Sequence, residues 1–156
     1  MVNVGDKAPD FMLQDEAGNE HTLSKALGKG PVVLSVHFFD FTGVCKEHQC
    51  TLSNALNQLT PLGVQVFGIS TDSTYAHKAW KAAEGIGFPL LSDYNKVVLP
   101  KYDALYDWKW MKGVARRSVF VLDKEGIIRY KWTTPDAPSN APDIAAVVAE
   151  AKKLAK

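Results

Sequence analysis

The sequence predicts an α/β domain built on a mixed β-sheet. Short β-branched runs alternate with helical periods along most of the chain. A late pair of apolar runs, joined by Asp123-Lys124-Glu125-Gly126, reads as an antiparallel hairpin. The 156 residues, 46% of them hydrophobic, suffice for one sizeable core, so residues 1–156 are expected to form a single domain.

Phe11 to Gln14 is a short strand, closed by the turn Glu16-Ala17-Gly18-Asn19. Val32 to Phe38 is an almost unbroken β-branched and aromatic run, the pattern of a strand covered on both faces. Residues 43–60 read as a helix with Leu52, Ala55, Leu56 and Leu59 on one face, stopped by Pro61-Leu62-Gly63. Val64 to Ser70 is a second buried strand. Ser73 can cap a helix from Thr74 to Glu84. Phe88 to Leu91 reads as a strand, and residues 95–105 as a helix that contains Pro100. Ser118 to Leu122 and Ile127 to Trp132 form the hairpin. A breaker-rich connector, residues 133–143, precedes an amphipathic helix from Pro142 to Ala155, with Pro at about its first position. A thioredoxin-like architecture, a central mixed sheet flanked by helices, fits this order. Fold alone does not give function.

Composition removes several classes of function. A net charge of +1 argues against nucleic acid or an anionic membrane surface as a partner. The longest apolar stretches, such as PVVLSV and IAAVVA, are too short to span a bilayer. The start, MVNVGDKAPDF, lacks a basic n-region and an apolar h-region, so the expected location is the cytoplasm. In that compartment a close cysteine pair points to catalysis or metal binding ahead of a structural bridge. Cys45 and Cys50 are such a pair, and their spacing is not CxxC.

The segment from His37 to Cys45 leaves a buried strand, turns at Thr42-Gly43 and enters the predicted helix. Cys45 is therefore expected in that helix's first turn. Unpaired N–H groups and the dipole there favour an anion, and the thiolate is the reactive form of cysteine. A buried, inert cysteine is the plain alternative; the strand-to-helix turn weighs against it.

FTGVC resembles the active-site pattern of the peroxiredoxins, with Thr three residues before the peroxidatic cysteine. Gly5 to Phe11 is similar to the GxxAPxF opening of that family, and Arg117 to Asp123 to its RxxFxxD strand. VFGISTDS at 66–73 and FPLLSD at 88–93 also look like that family. The three main pieces stand in order, and the likeness covers nearly the whole chain. It implies a thiol peroxidase, closest to the bacterioferritin-comigratory type, with Cys45 as nucleophile and no cofactor or metal. Its substrates would be hydrogen peroxide and organic hydroperoxides, and its reductant a thioredoxin-like or other small dithiol. Some members are monomers and others dimerise through loops around the active site. The aromatics near Cys45 tip the expectation towards a homodimer.

Roles follow from residue chemistry. Arg117 offers a permanent charge and a planar donor fork; strand alternation puts it and Arg116 on opposite faces, so only one can face the site, and the resemblance selects Arg117, leaving Arg116 to fit a surface ion pair. Thr42 places a hydroxyl where it can donate to the sulfur or to a peroxide, or cap the helix. A thiol of pKa about 8.5 is only a few per cent thiolate at pH 7. Lowering that pKa to about 6 raises the thiolate fraction roughly 30-fold. Nucleophilicity falls about tenfold for the same shift, so the net gain is a few-fold. The rest must come from stabilising charge as O–O breaks, the work assigned to Arg117, Thr42 and helix-start amides.

Cys50 matches the resolving position of the bacterioferritin-comigratory type. In a continuous helix, residues five apart have Cα atoms about 8.6 Å apart. A disulfide needs less than about 7 Å, so the first turns are expected to unwind for Cys45 and Cys50 to join. The alternatives are a one-cysteine peroxidase in which Cys50 is structural, a redox-regulated binding or chaperone module, and a metal site of Cys45, His48 and Cys50 with His37. Two positions depart from the family. Phe38 stands where proline shields the thiolate, and His48 stands where Glu or Gln is usual; His48 is expected to be a solvated helix residue. His37 is expected to be a satisfied core or edge residue.

Overall fold

The structure is a computed structural model that describes residues 2–43, 47–135, 138 and 140–155. Cys45 lies outside the described residues. One seven-stranded sheet organises the chain: β1 (Met12–Gln14), β2 (Glu20–Thr22), β3 (Val32–Val36), β4 (Gln65–Ser70), β5 (Leu90–Ser92), β8 (Ser118–Leu122) and β9 (Ile128–Thr133). Their order across the sheet is β2-β1-β5-β4-β3-β8-β9. β4 runs parallel to both β3 and β5, whereas β8 is antiparallel to β3 and to β9. The predicted mixed sheet and thioredoxin-like architecture are thus present.

Strand alternation divides the core in two. Val32, Leu34, Val36, Phe67, Ile69, Phe120 and Leu122 pack with Leu23, Leu99 and Tyr102 on one face. Val33, Val66, Val119 and Val121 meet Leu52, Leu59, Trp80, Ile144, Val147 and Ala151 on the other. β3 and β8 are buried at every position, which is why their sequences run VVLSV and SVFVL without polar alternation. Helices α1 (Leu23–Leu27), α2 (Gln49–Asn54), α3 (Leu56–Leu59), α4 (Thr74–Glu84) and α5 (Ile144–Leu154) cover the sheet. Among the described residues no helix is long and apolar enough to cross a membrane.

α4 has its predicted bounds, and the Ser73 hydroxyl accepts from the Ala76 N–H as its cap. Three expectations need correction. Of the helix expected over 43–60, residues 44–46 lie outside the described residues, and the rest is α2 and α3, divided at Ala55 (φ −90°, ψ −1°). His48 precedes α2 with non-helical angles (φ −130°, ψ −100°), because its ring is drawn inward by hydrogen bonds described below. The helix expected over 95–105 is only a 3-10 turn at Leu99–Tyr102. The Asp93 carboxylate takes the N–H groups of Val97, Val98 and Leu99, and Asp103 ends the turn at φ 54°. A hairpin of β6 (Leu105–Trp108) and β7 (Met111–Ala115) follows, turning at Lys109 with φ 56°. At the C-terminus Asp143, not Pro142, sets the helix start, its carboxylate accepting from the Ala146 N–H.

Candidate active site

The topology decides which residues meet. β3 ends at Val36, paired with Ser118 on one side and Ile69 on the other. The segment leaving β3 therefore runs between Arg117, just before β8, and Ser70–Asp72, just after β4. In sheets of this kind, ligands gather at the carboxyl ends of parallel strands. Phe41 lies there with φ 65° and 62% of its surface exposed.

Arg117 is only 2% exposed. Its Nε donates to the Pro138 carbonyl, one terminal nitrogen lies 2.9 Å from His48 Nδ1, and the other lies 3.4 Å from Thr42 Oγ1. The structure thus brings the predicted Thr42 and Arg117 together. The Thr42 hydroxyl proton goes to the Phe39 carbonyl at 2.8 Å, so this arrangement commits it to the turn and not to a sulfur. Nor does Thr42 cap α2, whose N-cap is His48. Burial lowers the Arg117 pKa to about 10, and nearby Tyr106 and Glu47 oppose that shift. Among the described residues Arg116 makes no ion pair; it binds the carbonyls of Thr134 and Pro135 and lies over the Tyr106 ring.

His48 overturns the expectation of a solvated residue, for it is fully buried. Arginine has only donors, so His48 Nδ1 must accept from Arg117. The ring proton then sits on Nε2 and goes to Ser35 Oγ at 2.7 Å. His48 is a neutral imidazole. Burial first, and the Arg117 charge second, push its pKa well below the ordinary value.

A second buried network holds the same segment. Gln49 Nε2 donates to the Ser35 carbonyl and to His37 Nδ1, both at 2.9 Å. His37 Nε2 then donates to Asp40 Oδ1, and His77 Nδ1 donates to Asp40 Oδ2, both at 2.7 Å. His77 Nε2 faces the Leu91 carbonyl at 3.0 Å, so both its nitrogens are donors. Burial works against ionisation of Asp40, but the hydrogen bonds from His37 and His77 outweigh it and hold its pKa down to about 2. Burial lowers the pKa of His37, against the pull of Asp40. The Asp40 N–H donates to Asp72 Oδ2, which also accepts from Ser70. Trp80 stacks on His37, with ring centroids 4.8 Å apart. His37 is the satisfied core residue expected of it.

Donor atoms of His37, Asp40, Asp72 and His77 lie within 4.8 Å of one another, a spacing open to a metal ion. The protons on the two histidines and the donors to Asp72 already satisfy this set. The metal alternative built on His48 loses that ligand, since both its ring nitrogens are engaged. Cys50 is the second residue of α2, its sulfur 3.7 Å from Glu84 Oε2. Phe38, in the shielding position, is buried with its ring 4.6 Å from that of Phe39. Sequence reasoning missed Ser35, Gln49, Asp40 and His77. One signal was available: Ser35 is a lone polar residue inside VVLSV, and a polar side chain buried in a strand needs a partner.

Residues 4–131 match a family model described as the AhpC/TSA family. The chain is 36% identical over 139 residues to a chloroplastic 2-cysteine peroxiredoxin of Chattonella marina var. antiqua, covering 83% of this chain and 69% of that one. It is 36% identical over 135 residues to a putative peroxiredoxin bcp of Coxiella burnetii, covering 84% and 88%. Among solved structures, the reduced 2-Cys peroxiredoxin of Plasmodium vivax aligns with a TM-score of 0.84 at 28% identity, over 97% of this chain and 81% of that one. The peroxidoxin BcpB of Mycobacterium tuberculosis aligns at 0.85 with 23% identity, over 98% and 97%, a likeness of fold.

Proposed function

We propose a division of labour for this chain, which belongs to the AhpC/TSA family and is a peroxiredoxin, a thiol-dependent peroxidase. Cys45 is the nucleophile. Its thiolate attacks one peroxide oxygen, the O–O bond breaks, and the electron pair leaves with the second oxygen, which takes a proton to become water or an alcohol. Cys45 becomes a sulfenic acid. Arg117 stabilises the charge moving onto the leaving oxygen, and Thr42 holds one arm of the guanidinium. The observation that carries this reading is the Arg117–Thr42 contact, 3.4 Å, at the end of β3 and three residues before Cys45.

Cys50 resolves the sulfenic acid. Its thiol displaces water and forms a disulfide, which a thioredoxin-like dithiol reduces. Cys50 stands in the first turn of α2, which starts at Gln49. The enzyme acts in the cytoplasm as a homodimer. Exposed Phe41 and Trp110, 62% and 83% accessible, supply apolar surface for the dimer, whose mass sedimentation measures.

The test is peroxide reduction followed by Trp fluorescence. Cys45→Ser abolishes the fast phase and Arg117→Ala slows it at least tenfold, whereas Cys50→Ser keeps it. After one equivalent of peroxide, intact mass shows loss of two hydrogens in the wild type. A Cys45→Ser protein that still consumes peroxide overturns the assignment, and a stable sulfenic acid in the wild type overturns the role of Cys50.

A further inference from the structure

We propose that His48 is an uncharged positioning residue, which holds Arg117 in place while leaving the guanidinium charge unneutralised towards Cys45. The inference rests on the proposed place of Cys45 beside Arg117.

The geometry argues it in three steps. First, every described partner of Arg117 is neutral: the Pro138 carbonyl, the Thr42 hydroxyl and His48 Nδ1. A guanidinium has five N–H groups, and these contacts use three. Second, His48 cannot take a proton without losing its role. Protonation would set an N–H of the ring against an N–H of Arg117, and Ser35 Oγ holds the ring with its other nitrogen at 2.7 Å. Third, among the described residues the carboxylates near by do not substitute for a counter-ion. Asp40 is engaged by His37 and His77. Glu47 is exposed and makes no ion pair with Arg117 among the described residues.

A carboxylate at position 48 would hold Arg117 equally well but cancel its charge. The imidazole separates two tasks, orientation and neutralisation, and performs only the first. The anion left to balance the cation is then the Cys45 thiolate, or the charge developing on the leaving oxygen. The groups that act on His48 are Arg117 from the start of β8 and His37 from the end of β3, with Glu47 adjacent in sequence and Tyr106 of β6 acting on Arg117. Two of these neighbours, Arg117 and His37, push against a second positive charge at His48.

The test is the pH dependence of iodoacetamide alkylation at Cys45 in the fully reduced chain, resolved by peptide mass. His48→Glu is expected to raise the thiol midpoint by about one pH unit, so thiolate at a pH below the midpoint falls about tenfold. His48→Gln, which can accept from Arg117 and donate to Ser35, should keep the wild-type midpoint. Arg117→Ala should raise it. An unmoved midpoint in His48→Glu, with Arg117→Ala shifted, overturns the inference alone. An unmoved midpoint in Arg117→Ala overturns the pairing of Cys45 with Arg117, and this inference with it. The wild type gives an arm that does not depend on a variant folding. Nitrogen-15 NMR should find His48 neutral at pH 6 with its proton on Nε2, and an imidazolium there overturns the inference.

Discussion

Acidification should destabilise this protein through His48, by an amount its burial sets. In the unfolded chain a histidine titrates near 6.5. In the folded chain burial and Arg117 hold His48 neutral to well below that value. Between the two pKa values the unfolded chain binds a proton that the folded chain refuses, so stability is full above the unfolded pKa and is lost as the pH falls below it. If His48 stays neutral at pH 5, the loss from pH 7 approaches about 2 kcal/mol, since each pKa unit corresponds to about 1.4 kcal/mol. His37, whose pKa is also lowered, adds a loss of the same sign.

Urea unfolding of the reduced protein at pH 7, 6 and 5 measures this, provided the m-value holds constant. The informative quantity is the difference between wild type and His48→Gln, in which His37 and the carboxylates cancel. Glutamine does not titrate. The wild type should therefore lose about 2 kcal/mol relative to the variant on going from pH 7 to pH 5. A difference independent of pH would refute the reasoning, because it would mean that His48 takes up its proton equally in both states.

Two further substitutions probe the support of the site. Asp40→Asn removes the carboxylate between His37 and His77 and leaves a buried donor pair mismatched. It should cost roughly 3–5 kcal/mol in chemical denaturation and slow peroxide reduction by freeing the segment that carries Thr42. Gly68→Ala builds a methyl 2.6 Å from Leu90 Cδ2 and 3.0 Å from Gln49 Nε2. Thermal or urea unfolding should register about 1–3 kcal/mol of overpacking, since Leu90 is fully buried and must shift to admit the methyl.

The sheet was legible because its signals are local. VVLSV, QVFGIS and SVFVL are β-branched runs bounded by turn residues, and Ser73 caps α4 with its own side chain. The errors lie where distant groups set the backbone. Nothing between 43 and 48 announces a break, since the hydrogen bonds that turn His48 inward come from Arg117 and Ser35, 69 and 13 residues away. The hairpin of β6 and β7 was hidden for a different reason: it turns on Lys109 at φ 56°, a conformation that glycine or asparagine usually signals. In the site itself, Thr42 and Arg117 were readable from a family pattern. The second network was not, because Asp40, Gln49 and His77 meet only once the β3–β4 and β3–β8 registers are fixed.

Burial acts on two adjacent bases and sorts them by intrinsic strength. Arg117 starts so far up the scale that lowering its pKa to about 10 still leaves it charged at pH 7, with about one guanidinium in a thousand deprotonated. His48 starts near neutrality, so the same desolvation removes its charge altogether. A lysine in place of Arg117 would begin about two units lower and lack the planar fork that reaches Pro138, His48 and Thr42 together. The pairing of arginine with histidine thus keeps one full positive charge in a buried site where, among the described residues, no carboxylate hydrogen-bonds to it. Arg117 thus keeps its positive charge at the end of β3, which is the condition a thiolate nucleophile needs.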